Sequence, residues 1–364
     1  MQEHQIDIPS QLKLWAETLG VEESHIVASS GEFLYKQWRE DLENSKYGYP
    51  LQPVAQSAYL EDSLGKIIGN FEYKKRTPAI FLTHDVDYLN PTYILWLKKA
   101  IGRKKFSLDC FKDNFLDSLK RYLEVDKNFL KDSGGQLFIP APRPPRGFKK
   151  YLIHKLIDPS YNLNSTLGDA FYKIVMDYRA EVGIHGSFFS LENDGNFKLE
   201  KRTLEQRFGR KITFNRQHWL NINSYQDLIA MHESGINFDS SLGWNGTLGI
   251  RGGFLRPYPI LLDKLKVIWE IPMLLMDGVL FDELKLSPEK ALAIACDWLQ
   301  KVAMVGGCVA INWHERTFAR SYGWGETYER ILEWCKKEGF DFYSRQDIEQ
   351  RIKEHEGKYI SKTN

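Results

Sequence analysis

From about position 78 onward, short apolar runs alternate with stretches whose apolar residues recur every three to four positions. The runs predict strands at 79–83, 135–139, 181–185, 238–240, 267–272, 309–313 and 340–344. The amphipathic stretches predict helices at 111–131, 166–178, 203–208, 225–234, 288–302 and 327–338. Ser287-Pro288 supplies a cap residue followed by proline at the first helical position, and Gly235, Gly306 and Gly339 stand where three helices should stop. Such alternation marks a parallel α/β architecture. No GxGxxG follows the first strand, so a distorted (β/α)7-8 barrel fits better than an open dinucleotide-binding sheet.

Upstream, helical periodicity at 11–19 and 31–42 precedes a turn-rich stretch at 46–50 and a mixed segment at 59–71. The expected organisation is an N-terminal appendage over 1–76, a barrel over 77–350 and a tail over 351–364. The loop at 140–147, rich in proline and arginine, is read as a stiff wall or lid over a strand end.

Composition narrows the function. Hydrophobic residues make up 43% of the 364 positions and aromatic residues 13%, ample for one large domain with an appendage. The 49 Lys and Arg nearly cancel the 48 Asp and Glu, so no global field draws nucleic acid or an anionic membrane. The clusters Arg103-Lys104-Lys105 and Lys149-Lys150 are read as solvated surface. Cys110, Cys296, Cys308 and Cys335 form no CxxC pair, which excludes zinc-ribbon and thioredoxin-like chemistry and points to a reducing compartment. The polar residues 1–7 show no secretory signal, and no apolar run approaches the roughly 18 residues a membrane span needs. A soluble, cytoplasmic protein is expected.

The candidate chemistry gathers at strand ends. Thr83-His84-Asp85-Val86-Asp87 follows the apolar run 79–82, so two carboxylates meet the mouth of the sheet, suited to bind a cation and to handle a proton. His185 ends Glu181-Val182-Gly183-Ile184-His185, and His218 follows Asn215-Arg216-Gln217. Asp87, His185 and His218 would make a three-ligand site with an open position, as a catalytic zinc or similar divalent metal requires. His314, after Asn312-Trp313, is suited to proton transfer, with Asp277 as a candidate to orient it. Arg251 and Arg256 are rival guanidinium partners for Asp85, and Gly252-Gly253 permits a close backbone approach to an oxyanion.

The order of these motifs, over about residues 78 to 348, resembles the polysaccharide deacetylases of carbohydrate esterase family 4, in the NodB-homology superfamily. The matching elements are the Asp-bearing first strand, the Glu-Val-Gly-Ile-His segment, the Arg loop at 251–258, Asp277 and Asn312-Trp313-His314; the segment 238–243 resembles the fourth-strand region. The resemblance implies a distorted (β/α) barrel and metal-assisted amide hydrolysis. It assigns Asp85 as general base, Asp87 as metal ligand and His314 as general acid. Two departures stand out: the second aspartate is displaced by one position, and Phe189 occupies the place of a second histidine. His218 is the candidate replacement, through a segment like that of a divergent branch tied to surface-polysaccharide biosynthesis. Backbone N–H groups near Gly253 or Tyr258 would hold an oxyanion, and Trp219, Trp244, Trp313, Tyr322 and Trp324 would stack on sugar rings. The implied partner is an N-acetylated carbohydrate, nucleotide- or lipid-linked, with no nucleic acid. Rival readings are a glycosyltransferase holding a nucleotide sugar on Asp85-Val86-Asp87, and a non-catalytic carbohydrate-binding relative.

Overall fold

A computed structural model of the protein describes residues 8–19, 28–54, 76–102, 108–131, 133–141, 147–159, 161–192, 196–263 and 266–360. Its strands are β1 (Ser45–Lys46), β2 (Tyr49–Pro50), β3 (Ala79–Asp85), β4 (Gln136–Ile139), β5 (Glu181–Gly186), β6 (Phe214–Gln217), β7 (Phe238–Asp239), β8 (Tyr258–Asp263), β9 (Lys266–Glu270), β10 (Met273–Met276), β11 (Cys308–Asn312) and β12 (Asp341–Tyr343). The expected segment at 59–71 lies outside the described residues, as does most of the proline-rich loop.

Every residue of β3 is buried, which the apolar run required. β4, β5, β6, β7 and β9 follow it as successive parallel neighbours, and β8 closes that side antiparallel to β9. On the other side β3 pairs with β11, and β11 with β10. One stretch of chain serves both ends. β9 pairs with β7 and β10 with β11, and the break between them falls at Ile271-Pro272. Ile271 N donates to Asp239 O at 2.8 Å, whereas Pro272, with no N–H, only accepts, from Ala310 N at 2.8 Å. This bent stretch curls the sheet into a distorted barrel, as expected. β12 pairs with the first half of β3 and β4 with its second half, so β12 wedges into the seam at the N-terminal end.

The helices Ile8–Leu19 and Ala28–Glu43 belong to the same apolar core as the strands, through Trp15, Trp38, Phe254 and Tyr258. They shield the free edge of β8. Trp15 Nε1 donates to Pro259 O at 2.9 Å, and Gln11 both donates to Pro259 O at 3.1 Å and accepts from Leu261 N at 2.6 Å. A sheet edge is thereby satisfied by side chains rather than left open. At the other end, the helix Arg345–Ile360 runs across the expected boundary at 350/351. Among the described residues no helix is long and apolar enough to cross a membrane.

Behind the barrel's inner face, Asp239 and Glu270 are direct partners on β7 and β9, both fully buried. Burial pushes both carboxyls up, and the charge of Asp239 adds to the rise at Glu270. A carboxyl that holds its proton more tightly when folded gives stability that is complete below the unfolded value, near 4.5 for Glu, and is lost as pH rises through the folded value. Glu270→Gln, which keeps the acceptor for Leu242 N, should therefore lose less stability than the parent as pH rises above that value. Melting curves across pH read the difference.

Candidate active site

Arg216 lies on β6, and His218 opens the short 3-10 turn that follows it. Arg216 lies fully buried inside the barrel with its guanidinium 4.5 Å from the centre of the Phe138 ring. It donates to Thr83 Oγ1 at 2.7 Å, Asp85 Oδ1 at 3.2 Å, Ser240 O at 3.0 Å and Ser240 Oγ at 2.9 Å. Asn312 on β11 holds the other oxygen of Asp85, donating from Nδ2 at 2.8 Å while its Oδ1 accepts from Asp85 N at 3.1 Å. Asp85 is thus gripped from two strands with its carboxylate edge toward His185, whose Nε2 lies 3.9 Å away.

Arg216, then, is the partner of Asp85, and the expected rivals are elsewhere. Arg251 is buried against carbonyls of Leu42, Leu220 and Ile222 and against Ser45 Oγ, over the Trp244 ring, where it ties the N-terminal segment to the barrel. Arg256 donates to Val305 O at 2.9 Å. The Gly252 approach serves packing as well: its N–H goes to Asp41 at 2.6 Å, and a Cβ there would meet Tyr258 Oη and Trp38. Tyr258 is fully buried under Trp38, away from any substrate surface. Trp313 is also fully buried, its indole N–H turned to Trp324 O, so it presents no face for a sugar.

Asp87, His185 and His218 come together, with ligand atoms all within 4.8 Å of one another. Each ring is oriented from behind. His185 Nδ1 donates to Arg216 O and His218 Nδ1 to Asp158 Oδ1, both at 2.8 Å, which leaves each Nε2 facing the cluster. Asp158 caps the helix Phe148–Ile157 and also accepts from His154 Nδ1 and Phe188 N. His218 reaches its place through a tight turn in which Trp219 and Leu220 both take positive φ, 59° and 51°. Two consecutive non-glycine residues in that region are held only by strong surroundings, here including Asn245 Nδ2 donating to Trp219 O at 2.5 Å.

Asp87 Oδ2 takes Arg316 at 3.0 Å, while its buried Oδ1 has no hydrogen-bond partner among the described residues. Burial alone would raise the Asp87 carboxyl, but His185, Arg316, His314 and His218 hold it well below the usual range. A buried carboxylate oxygen without a hydrogen bond, 3.4 Å from His185 Nε2 and beside the His218 ring, is a donor set that fits a divalent cation.

Opposite, His314 Nδ1 donates to Asp277 Oδ1 at 2.6 Å. Asp277 Oδ2 also accepts from His314 N at 2.9 Å and Thr317 Oγ1 at 2.8 Å, so ring and backbone are both fixed. His314 Nε2 points at Asp87, 3.6 Å from Oδ2. Burial lowers its affinity for a proton, but Asp277 and Asp87 outweigh that and push it up to about 9. The sequence reading gave no role to Arg216, Asn312, Asp158 or Arg316; the spacing of Arg216 two residues before His218 was the one available signal.

The curled sheet is a distorted (β/α) barrel that carries a carboxylate–imidazole cluster at its C-terminal strand ends. Among solved structures the chain is similar to a protein described as a polysaccharide deacetylase from Mycobacterium smegmatis, at 16% identity and a TM-score of 0.52, over 78% of this chain and 92% of that one. It is also similar to Puue allantoinase, at 13% identity and a TM-score of 0.50, over 78% and 91%. At these identities the likeness shows the shared fold. No protein-family profile and no curated protein matches the chain.

Because Arg216 and Asp85 are buried together, removing one strands the other. Arg216→Met should destabilise the fold by about 3–5 kcal/mol in denaturant titrations, and Arg216→Met with Asp85→Leu should recover part of that loss.

Proposed function

We propose that the protein is a metal-dependent hydrolase that removes an N-acetyl or related acyl group from a sugar or polysaccharide precursor. The observation that carries this reading is the three-sided arrangement: Asp87, His185 and His218 in the middle, Asp85 on one flank and the Asp277–His314 pair on the other. The shared fold with a polysaccharide deacetylase supports the reaction class, and a carbohydrate is the substrate it favours. Two imidazoles and a carboxylate suit zinc first among divalent cations. Cys296, Cys308 and Cys335 form no disulfide, in keeping with a cytoplasmic setting.

A bound cation would polarise the scissile carbonyl and favour ionisation of the attacking water. The chain's own groups do the rest. Asp85, held by Arg216 and Asn312, takes the water's proton. His314 is kept protonated across neutral pH by Asp277, and since Nδ1–H is committed to that carboxylate, Nε2–H is the proton offered to the departing amine. Arg316 occupies Asp87 Oδ2 and so directs Oδ1 inward as the ligand atom. Phe189, in the place expected for a histidine, contributes no ligand; His218 would supply the imidazole from the turn after β6.

Release of acetate from N-acetylated sugars, followed by coupled assay, tests the reading directly. Asp85→Asn should lower kcat of the folded protein by at least about 10²-fold, and should also cost stability because Arg216 loses its counter-ion. Transfer of a glycosyl group without acetate release, or sugar binding with no turnover in cation-loaded protein, would favour the rival readings. The acid role has its own signature. Deprotonating His314 should cut activity as pH rises past about 9, and Asp277→Asn should move that alkaline limb to lower pH, because the charge that holds the proton is gone.

A further inference from the structure

Two ten-residue helices are additions to the barrel plan. From β3 the chain reaches the returning helix Phe115–Lys127 only after Tyr93–Gly102, and from β4 it reaches Thr166–Asp177 only after Phe148–Ile157. β3 and β4 are parallel neighbours, so both extra helices lie in connections that leave the site-bearing end of the sheet. Helix Phe148–Ile157 is fastened to the site on its inner side, since His154 donates to the same Asp158 that orients His218.

The outer sides are apolar and bare. Phe148 is 78% exposed and Leu156 62%, with Tyr151 and Leu152 beside them; on the first helix Tyr93 is 79% exposed, with Ile94 and Leu97. Seven of the fifteen exposed large apolar side chains among the described residues sit on these two helices. Single exposed apolar residues are ordinary, but a concentration at one rim is not.

Charge is equally uneven. Residues 88–108 hold five Lys and Arg and no Asp or Glu, and residues 136–157 hold the same, while the remainder of the chain is net acidic. Overall neutrality therefore conceals two basic stretches of sequence, and Lys149 and Lys155 of the second are exposed on the helix Phe148–Ile157. Lys149 and Lys155 interleave with the apolar side chains, Lys155 over the Tyr151 ring, whereas Lys150 is engaged by Glu192. Lysine is depleted from the cores of protein–protein interfaces. At a lipid interface the same mixture is favourable, with apolar groups among acyl chains and ammonium groups at the phosphates.

We propose that these two helices dock the protein onto an anionic lipid bilayer, lying on it with the mouth of the site turned toward the membrane. Ten residues of helix reach about 15 Å, too short to cross the roughly 30 Å hydrocarbon core. The docking surface stands independently of the hydrolase reading, so neither fails with the other.

Co-sedimentation of the full chain with phosphatidylcholine vesicles, with and without phosphatidylglycerol, tests it. Binding should require phosphatidylglycerol and weaken with salt. Leu152→Asp with Leu156→Asp, and separately Lys149→Glu with Lys155→Glu, should each lower the partition coefficient roughly tenfold or more while the melting temperature is unchanged. Failure of the parent protein to bind phosphatidylglycerol vesicles would overturn the proposal, as would undiminished binding by both variants. So would a dimer in sedimentation velocity that the Leu152→Asp, Leu156→Asp variant abolishes, since the face would then belong to a second copy.

Discussion

A guanidinium buried in the middle of a barrel constrains everything around it. Burial weakens the hold of Arg216 on its proton; Asp85 is the anion that opposes this, with Thr83 and Ser240 taking further donors. These contacts cross-link β3, β6 and β7, and the partnership fixes which way Asp85 faces. They also fix β6 itself, whose Arg216 carbonyl orients His185 and whose next outward turn delivers His218. A buried ion pair of this kind is expensive to desolvate, and it is weak evidence for added stability. Its value here is geometric: one contact sets Asp85 and two imidazoles at once.

The two aspartates of the first strand then divide by environment. Asp85 is held by hydrogen bonds from Arg216 and Asn312, whereas Asp87 is surrounded by three imidazoles and Arg316 and keeps Oδ1 without a hydrogen bond, 3.4 Å from His185 Nε2. Asp158 holds the His218 tautomer, and it draws the rim helix Phe148–Ile157 into the site's support.

Much of this was legible because apolar runs mark buried parallel strands and polar residues at their ends stand out. β3, β5 and β11 read cleanly for that reason, and Asp85, Asp87, His185 and His314 with them. β6 did not, because Asn215, Arg216 and Gln217 all point into polar networks and erase the hydrophobic signal. β10 merged with β9 into one apolar run, and only the pairing of each half reveals the bend at Pro272. Arg251 looked like a site residue since it sits in a glycine loop, but it is a clamp on the N-terminal helices, and Tyr258 and Trp313 are core. Local sequence cannot distinguish an arginine facing the barrel interior from one facing an appended helix; that depends on contacts 131 or 209 positions away. The rim helices were missed for the opposite reason. Their apolar residues face outward, so periodicity had no core to report.

The central claim is that Asp87, His185 and His218 form one metal centre. An anomalous difference map at the metal edge, from crystals of protein loaded with zinc, tests it most directly. The account predicts a single strong peak bounded by Asp87 Oδ1, His185 Nε2 and His218 Nε2, beside Asp85 and open on one side. A map with no peak there, or with the ion held by other side chains, would contradict it.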